Sequence, residues 1–353
     1  MTRETDREAE SPVSGCSDHG GRVSYGGQAV IEGVMMRGPE RVATAVRLPD
    51  GTIAVHTEPF ASASKKNRFL RSPVIRGGLT LIESLALGIK ALNYSASAAM
   101  EAAEAEAGKA GEGAGGGTGP ESPESSVPQA TAPPERRPEK TPEWKTTAAL
   151  TATMVAAFAL GILFFFYLPL VITGWFNIES SILFNVVDGI IRVVFFIAYI
   201  WGISRWKEMA RVFEYHGAEH KAIFTHEAGQ ELTIENARLH STKHPRCGTS
   251  FLLIVMVVSI LVFMLTGKPH NVGQRFARIL LVPVIAGVSY EIMKLAARHS
   301  RRPWARAMSA PGVWLQRITT REPSDQQVEV AIAALSAVLA KRDDARQAAV
   351  DQG

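Results

Sequence analysis

Disulfide chemistry is excluded first. The 353-residue chain has two cysteines, Cys16 and Cys247, set far apart, and a disulfide framework needs several at close spacing. Charge is also scarce: 20% of residues are charged, and the formal net charge is +4. No basic stripe interleaved with aromatics accompanies that surplus, so nucleic acid is not an expected partner. Residues Met1–Gly21 are polar and lack the apolar core of a secretory signal peptide. What is abundant is apolar: 46% of residues are hydrophobic. The mean hydropathy of +0.05 looks ordinary for a soluble protein, but the apolar residues are segregated along the chain.

Residues 1–22, rich in Ser, Glu and Asp, read as a disordered tail. Residues 23–100 read as a compact cytosolic segment. In it, Ala43–Leu48 and Thr52–Glu58 flank Pro49-Asp50-Gly51, a turn signal that predicts a β-hairpin. Gly77–Ala99 carries Leu79, Ile82, Leu85, Leu87, Ile89 and Leu92 at mixed three- and four-residue spacing, which predicts an amphipathic helix, one suited to a membrane surface. Residues 101–143 are Ala, Gly, Pro, Glu and Ser with almost no large apolar side chains. Such a stretch cannot bury enough surface to offset its ordering entropy, so a disordered linker is expected.

Four apolar runs follow in residues 144–204 and 250–297. Thr147–Thr173 has no charge and contains Phe164-Phe165-Phe166; about 20 residues suffice to cross a bilayer core of about 30 Å. Val186–Ser204 is interrupted by Asp188 and Arg192, which sit at i, i+4 and are placed to pair. Ser250–Thr266 and Ala277–Ala297 complete the set. Loop charge then sets orientation. The connection Gly174–Asn185 has no Lys or Arg, whereas Arg205, Lys207 and Arg211 follow the second run and Arg298, Arg301, Arg302 and Arg306 follow the fourth. Both termini and the 205–249 loop are therefore expected in the cytosol of a bacterial-type cell, although Lys268, Arg275 and Arg278 argue mildly the other way. The expected fold is a polytopic α-helical membrane protein with about four transmembrane helices and a small α+β cytosolic domain. In residues 298–353, Gln326–Ala340 reads as an amphipathic helix packed on that domain.

The chemistry-bearing segment is the 205–249 loop. It contains Glu214-Tyr215-His216-Gly217-Ala218-Glu219-His220-Lys221, in which His216 and His220 share one helix face. This is the His-x-x-Glu-His order of inverted zinc peptidases, in which two His hold the metal and Glu activates its water. His240, His244 and Cys247 follow in the same loop, and a catalytic zinc needs three protein ligands and one open position. Glu291 is a further candidate by sequence distance. However, if the second run continued straight past Trp206, His216 would stand about 15 Å beyond it, and Glu291 about 9 Å on the other side. His244 or Cys247 is the easier third ligand. A duller alternative stands beside this one: both His side chains line a packing face, bonded to Glu214 or Glu219, with Cys247 a small buried hydrophobe.

The string Tyr25–Pro39 is rich in glycine but contains neither a P-loop Lys-Ser/Thr nor Gly-x-Gly-x-x-Gly, so a nucleotide site is not indicated. Its glycines are expected to shape turns, and Met35 and Met36 to fill a core or interface. Glu32 and Arg37 are the residues there able to reach a site.

Three strings, Gly26-Gly27-Gln28-Ala29-Val30-Ile31-Glu32-Gly33-Val34-Met35, Glu214–Lys221 and Arg246-Cys247-Gly248, resemble the YqhQ-like bacterial membrane proteins. The resemblance spans roughly Val23–Met100 and Trp144–Leu339. It implies a metal-dependent protein with the ion at His216 and His220, and it names no substrate. The resulting expectation is a zinc-dependent (or other divalent-metal) hydrolase at the cytosolic face, with His216, His220 and either His244 or Cys247 as ligands and Glu219 as base. Its rivals are a non-enzymatic membrane adaptor or regulator, with a structural metal site or none, and transport of a small solute or ion. The lipid bilayer is the expected surrounding, with a membrane-protein partner or a second copy as further contacts.

Overall fold

In the computed structural model, residues 25–63, 70, 72–112, 143–300 and 302–350 are described. The expected tail, with Cys16, and residues 113–142 of the expected linker lie outside them. Four strands come first: β1 Gly26–Val30, β2 Gly33–Arg37, β3 Arg41–Arg47 and β4 Ile53–Pro59, in an antiparallel meander of order β1-β2-β3-β4. The Pro49-Asp50-Gly51 hairpin forms as the sequence indicates. Asp50 Oδ1 accepts from Thr52 N at 2.9 Å, and Gly51 takes φ +86. Ahead of it stands a second hairpin, which the glycine-rich string conceals: Met35 pairs Gln28 and Thr44, and Met36 pairs Gly27 and Ala43.

Side chains alternate across a strand, so Met35 and Met36 point to opposite faces. Both are nevertheless buried, because each face is covered. On one face Val34, Met36, Ala43 and Ala45 pack with Ala218 and Ala222 of α5 (Lys207–Glu227) and with Val328, Ala331, Ala334 and Leu335 of α11 (Asp325–Val350). On the other, Val30, Met35 and Val42 meet Ala91 of α1 (Pro73–Glu112). Helix α1 runs past Met100 to Glu112, through an Ala/Glu stretch of strong helix formers. At the start of helix α11, Gln327 Oε1 accepts from Ser324 N at 2.8 Å, the return bond of a capping box.

Among the described residues, four segments are long and apolar enough to cross a membrane: Ala152–Trp175, Ser181–Ile203, Gly248–Thr266 and Val272–Arg298. The first comprises most of α2 (Glu143–Ile162), a π-helical turn at Leu163–Tyr167 and α3 (Leu168–Trp175). The second is α4 (Ser181–Ile203) and, after the short α6 (Ile234–Arg238), the third is α7 (Gly248–Thr266). The last is broken at Leu281 ahead of Pro283, into α8 (Val272–Leu280) and α9 (Val282–Arg298). Asp188 and Arg192 pair at 2.9 Å inside this bundle, as their spacing suggests. Helix α10 (Pro303–Thr319) lies against α7 and α9 and returns the chain to the sheet. Helix α4 does not run on into α5: Trp206 is extended (φ −76, ψ 137), so the chain turns before the histidines.

Candidate metal centre

His216 and His220, one turn apart on α5, place their ring centroids 4.4 Å apart. Each ring is fixed by a backbone carbonyl. His216 Nδ1 bonds Thr319 O at 2.8 Å, at the end of α10, and His220 Nδ1 bonds Thr242 O. A carbonyl only accepts, so both Nδ1 atoms carry a proton and Nε2 is the nitrogen of each ring left to ligate. Metal-ligating histidines are oriented by this same kind of outer hydrogen bond. His216 Nε2 lies 3.1 Å from Cys247 Sγ. One donor atom each from His216, His220 and Cys247 falls within 4.8 Å of the others. Tetrahedral zinc, with bonds near 2.0 and 2.3 Å, needs donors about 3.3–3.5 Å apart, so small adjustments would seat an ion.

Cys247 reaches this point as the N-cap of α7, accepting from Thr249 N at 3.4 Å. Burial, only partly offset by Cys247 and Thr242, holds the His220 imidazole below its ordinary pKa, and a neutral ring is the ligating form. Gln316, fully buried, braces the loop by accepting from His244 N at 2.7 Å and donating to His244 O at 2.8 Å.

Glu219 turns toward the sheet. A Cβ on Gly27 would sit 3.0 Å from its carboxyl carbon, and the Gly27 backbone N–H bonds that carboxylate. Burial raises the Glu219 pKa, against the pull of His216 and of that N–H. The glycine of the His-Gly-Ala-Glu-His string has its own task. Arg321 N bonds Phe213 O at 2.9 Å, so the chain leaving α10 crosses α5 directly over Gly217; a Cβ there would lie 2.1 Å from Arg321 O. That crossing holds Thr319 O over His216.

The other candidates are engaged elsewhere. His244 is buried, but its Nε2 faces Glu227 at 3.4 Å and its Nδ1 accepts from Arg246 N at 3.2 Å, so the structure does not bring it into the cluster. Glu291 is gripped by Arg76 at 2.6 and 2.8 Å, a partner on α1 rather than Lys294 or the histidines. Glu214 accepts from Gln327 at 2.8 Å. Glu32, at φ +51 in the β1–β2 turn, binds Arg211 at 2.6 Å and Tyr215 at 3.3 Å. Arg37 reaches Glu83 and Ser84 on α1, both at 3.2 Å. These contacts dock the sheet on its helices. His240 bonds Gln230 at 2.7 Å. Thr242, Gln316 and Thr319 were not marked by the sequence; carbonyl and amide partners leave no residue-type signature.

Comparison with known proteins bears on what this cluster belongs to. The family described as "Protein of unknown function (DUF1385)" matches residues 72–341. The chain belongs to that family. It is 30% identical over 320 residues to "Uncharacterized protein YqhQ" of Bacillus subtilis (strain 168), covering 90% of this chain and 92% of that protein. No solved structure gives a significant match. The family match includes α5, Cys247 and the end of α10, so every residue of the cluster lies inside it.

Proposed function

We propose that this chain is a multi-pass membrane protein whose cytosolic face carries a divalent-metal centre, zinc by its His and Cys donors, acting as a hydrolase. The observation that carries the metal is the convergence of His216, His220 and Cys247, with both outer ring nitrogens already committed to carbonyls. Two observations support the membrane reading. The four membrane-length helices leave apolar side chains such as Phe158, Ile190 and Leu261 facing outward. Further, the sheet, α5 and α11 share one core and so occupy one side of a bilayer. Two spans separate the sheet from α5 and two separate α5 from α11, and an even count returns the chain to the same side. Arg205, Lys207 and Arg211 mark that side as cytosolic. Of the opposing charges, Arg278 is buried inside the bundle and does not count as a loop charge.

A divalent cation, when bound, acidifies a water molecule and polarises the bond to be cleaved. His216, His220 and Cys247 would hold the ion, and three protein donors rather than four would leave room for that water. Glu219 is the base in this reading. A carboxyl made reluctant to ionise by burial is suited to taking up and passing on a proton; the Gly27 N–H that turns it toward the sheet is the contact it would exchange for the bound water.

The burial of His220 and Cys247 favours a second reading. In it the site is closed and structural, stapling α5 to α7 in a non-enzymatic adaptor or regulator.

Elemental analysis of detergent-purified full-length protein tests the metal. One equivalent is expected in wild type and in Glu219→Gln, and none in His216→Ala or Cys247→Ser. A wild-type protein without stoichiometric metal would end both readings of the site. Cobalt substitution separates them: a visible spectrum that shifts on adding thiocyanate marks an open position and supports the hydrolase. A four-coordinate spectrum indifferent to thiocyanate supports the staple.

A further inference from the structure

A second polar site lies away from the histidines, where α1 crosses α9. Arg76, Glu291, Lys294, Leu295 and Arg298 line a cavity of about 370 Å³. Three cations face one carboxylate there, and that carboxylate is already held by Arg76 at 2.6 and 2.8 Å. Lys294 is half-buried, and among the described residues neither it nor Arg298 has a side-chain hydrogen bond or ion pair. The C-terminal dipole of α9 offsets about half a charge at most. More than one positive charge therefore remains uncompensated around a half-open cavity with Arg298 exposed at its edge, which favours an anion.

The walls indicate what carries that anion. Leu295 is exposed beside the cations, and α1 presents Leu81, Ile82 and Leu85 outward as well. Glu291 stands seven residues before the end of α9, about 10 Å along the helix axis. In the membrane reading above, on which this inference rests, that depth is where a cytosolic-leaflet headgroup meets its acyl chains. An approach of α1 to α9 at Gly77 and Gly287, where an added Cβ on Gly77 would lie 2.7 Å from the Gly287 Cα, holds the two walls in place.

We propose that this α1–α9 mouth binds a phosphate-bearing anion, and that its apolar rim selects the headgroup of an anionic phospholipid. Basic pockets beside cytosolic helix ends bind such headgroups through charge, each cation near the surface adding several-fold in affinity.

Native mass spectrometry of the full chain, released from nanodiscs of mixed phosphatidylglycerol and phosphatidylcholine, reads the bound lipid directly. Wild type is expected to retain phosphatidylglycerol preferentially. The double variant Lys294→Gln/Arg298→Gln leaves the Arg76–Glu291 pair in place and is expected to lose that preference roughly 10- to 30-fold. An unaltered preference in the double variant, or none in wild type, overturns the proposal. Millimolar inorganic phosphate that displaces the lipid from wild type, with the lipid-free chain binding phosphate equally well, would overturn the lipid source in favour of a soluble phosphate. Failure of the underlying membrane reading has a separate signature: extraction of the chain from cell membranes by alkaline carbonate.

Discussion

The sheet domain and the apolar bundle bury side chains in opposite senses. In the domain, adjacent residues Met35 and Met36 are 2% and 0% exposed, because helices cover both faces of β2. In the bundle, only 11% of the residues in the apolar stretch of the first membrane-length segment are buried, and 33% in the second's. Phe158 and Leu265 face outward, while Asn185, Asp188, Arg192 and Arg278 are inside. There Arg278 bonds Asn185 at 2.8 Å and Arg192 bonds Asp188 at 2.9 Å. The domain is organised by water, which drives apolar surface inward. The bundle suits a surrounding as apolar as its own exterior, in which buried polar contacts and close packing join the helices.

That contrast is tested most strongly inside the domain. Leu335 of α11 is fully buried between the sheet and α5. Leu335→Ala is expected to cost about 2–5 kcal/mol, read as a lowered thermal midpoint of purified protein and faster amide hydrogen exchange along α5. A cost under about 1 kcal/mol would mean that α11 is an accessory to the domain.

In the bundle the sensitive substitution is an outward one. Leu261 is 57% exposed on α7, and Leu239, beside α6, is 77% exposed. On exposure alone the two are interchangeable. In a bilayer Leu261→Asp should cost about 3 kcal/mol near the middle of a span, whereas Leu239→Asp in water should stay within about 0.5 kcal/mol. The carbonate-resistant fraction of each variant reads the difference. Equal behaviour would remove the distinction between the two regions.

The bundle was the more legible half. Long uncharged runs need no tertiary information, and the four sequence segments coincide with the four membrane-length segments except at their ends. The Pro49-Asp50-Gly51 hairpin was equally plain. The β1–β2 hairpin was not, because glycines that serve close approach look like turn formers: Gly33 sits within β2, where a Cβ would meet Ala45 O at 2.3 Å. At the candidate metal centre, the i, i+4 spacing brought His216 and His220 together, and Cys247 joined them. The choice between Cys247 and His244 depended on ring contacts with Glu227 and Arg246, which no spacing reports. Glu291 drew attention by its distance along the sequence from the histidines. Its partner Arg76 lies 215 residues away, beyond the reach of any local pattern.

The next effect in size joins the two regions. Gly217 lies where the chain from α10 crosses α5, and a Cβ would overlap Arg321 O at 2.1 Å. Overpacking of this kind costs about 1–3 kcal/mol. Because the same crossing carries Thr319 O to His216, Gly217→Ala should lower thermal stability and metal occupancy together. Occupancy retained at a lowered midpoint would show that the carbonyl is not what orients His216.

The smallest expected effect concerns pH. Glu227, near the end of α5, faces His244 at 3.4 Å and also pairs with Arg246. Burial pushes its carboxyl up, but the contacts with His244 and Arg246 outweigh burial and hold it below its ordinary value of 4.5. The unfolded chain then binds the proton more readily than the folded one as pH falls below about 4.5, so this contribution is present above that pH and lost through the folded value. Glu227→Gln should flatten the acid limb of the stability profile between about pH 5 and 3, with a loss at neutral pH under about 1 kcal/mol, since Arg246 is 40% exposed and its pair is screened. Superimposable acid limbs for variant and wild type would show that Glu227 does not hold the His244 loop. The loop's attachment to α10 would be untouched by that substitution, since the two bonds of Gln316 to the His244 backbone carry no charge and no pH dependence in this range.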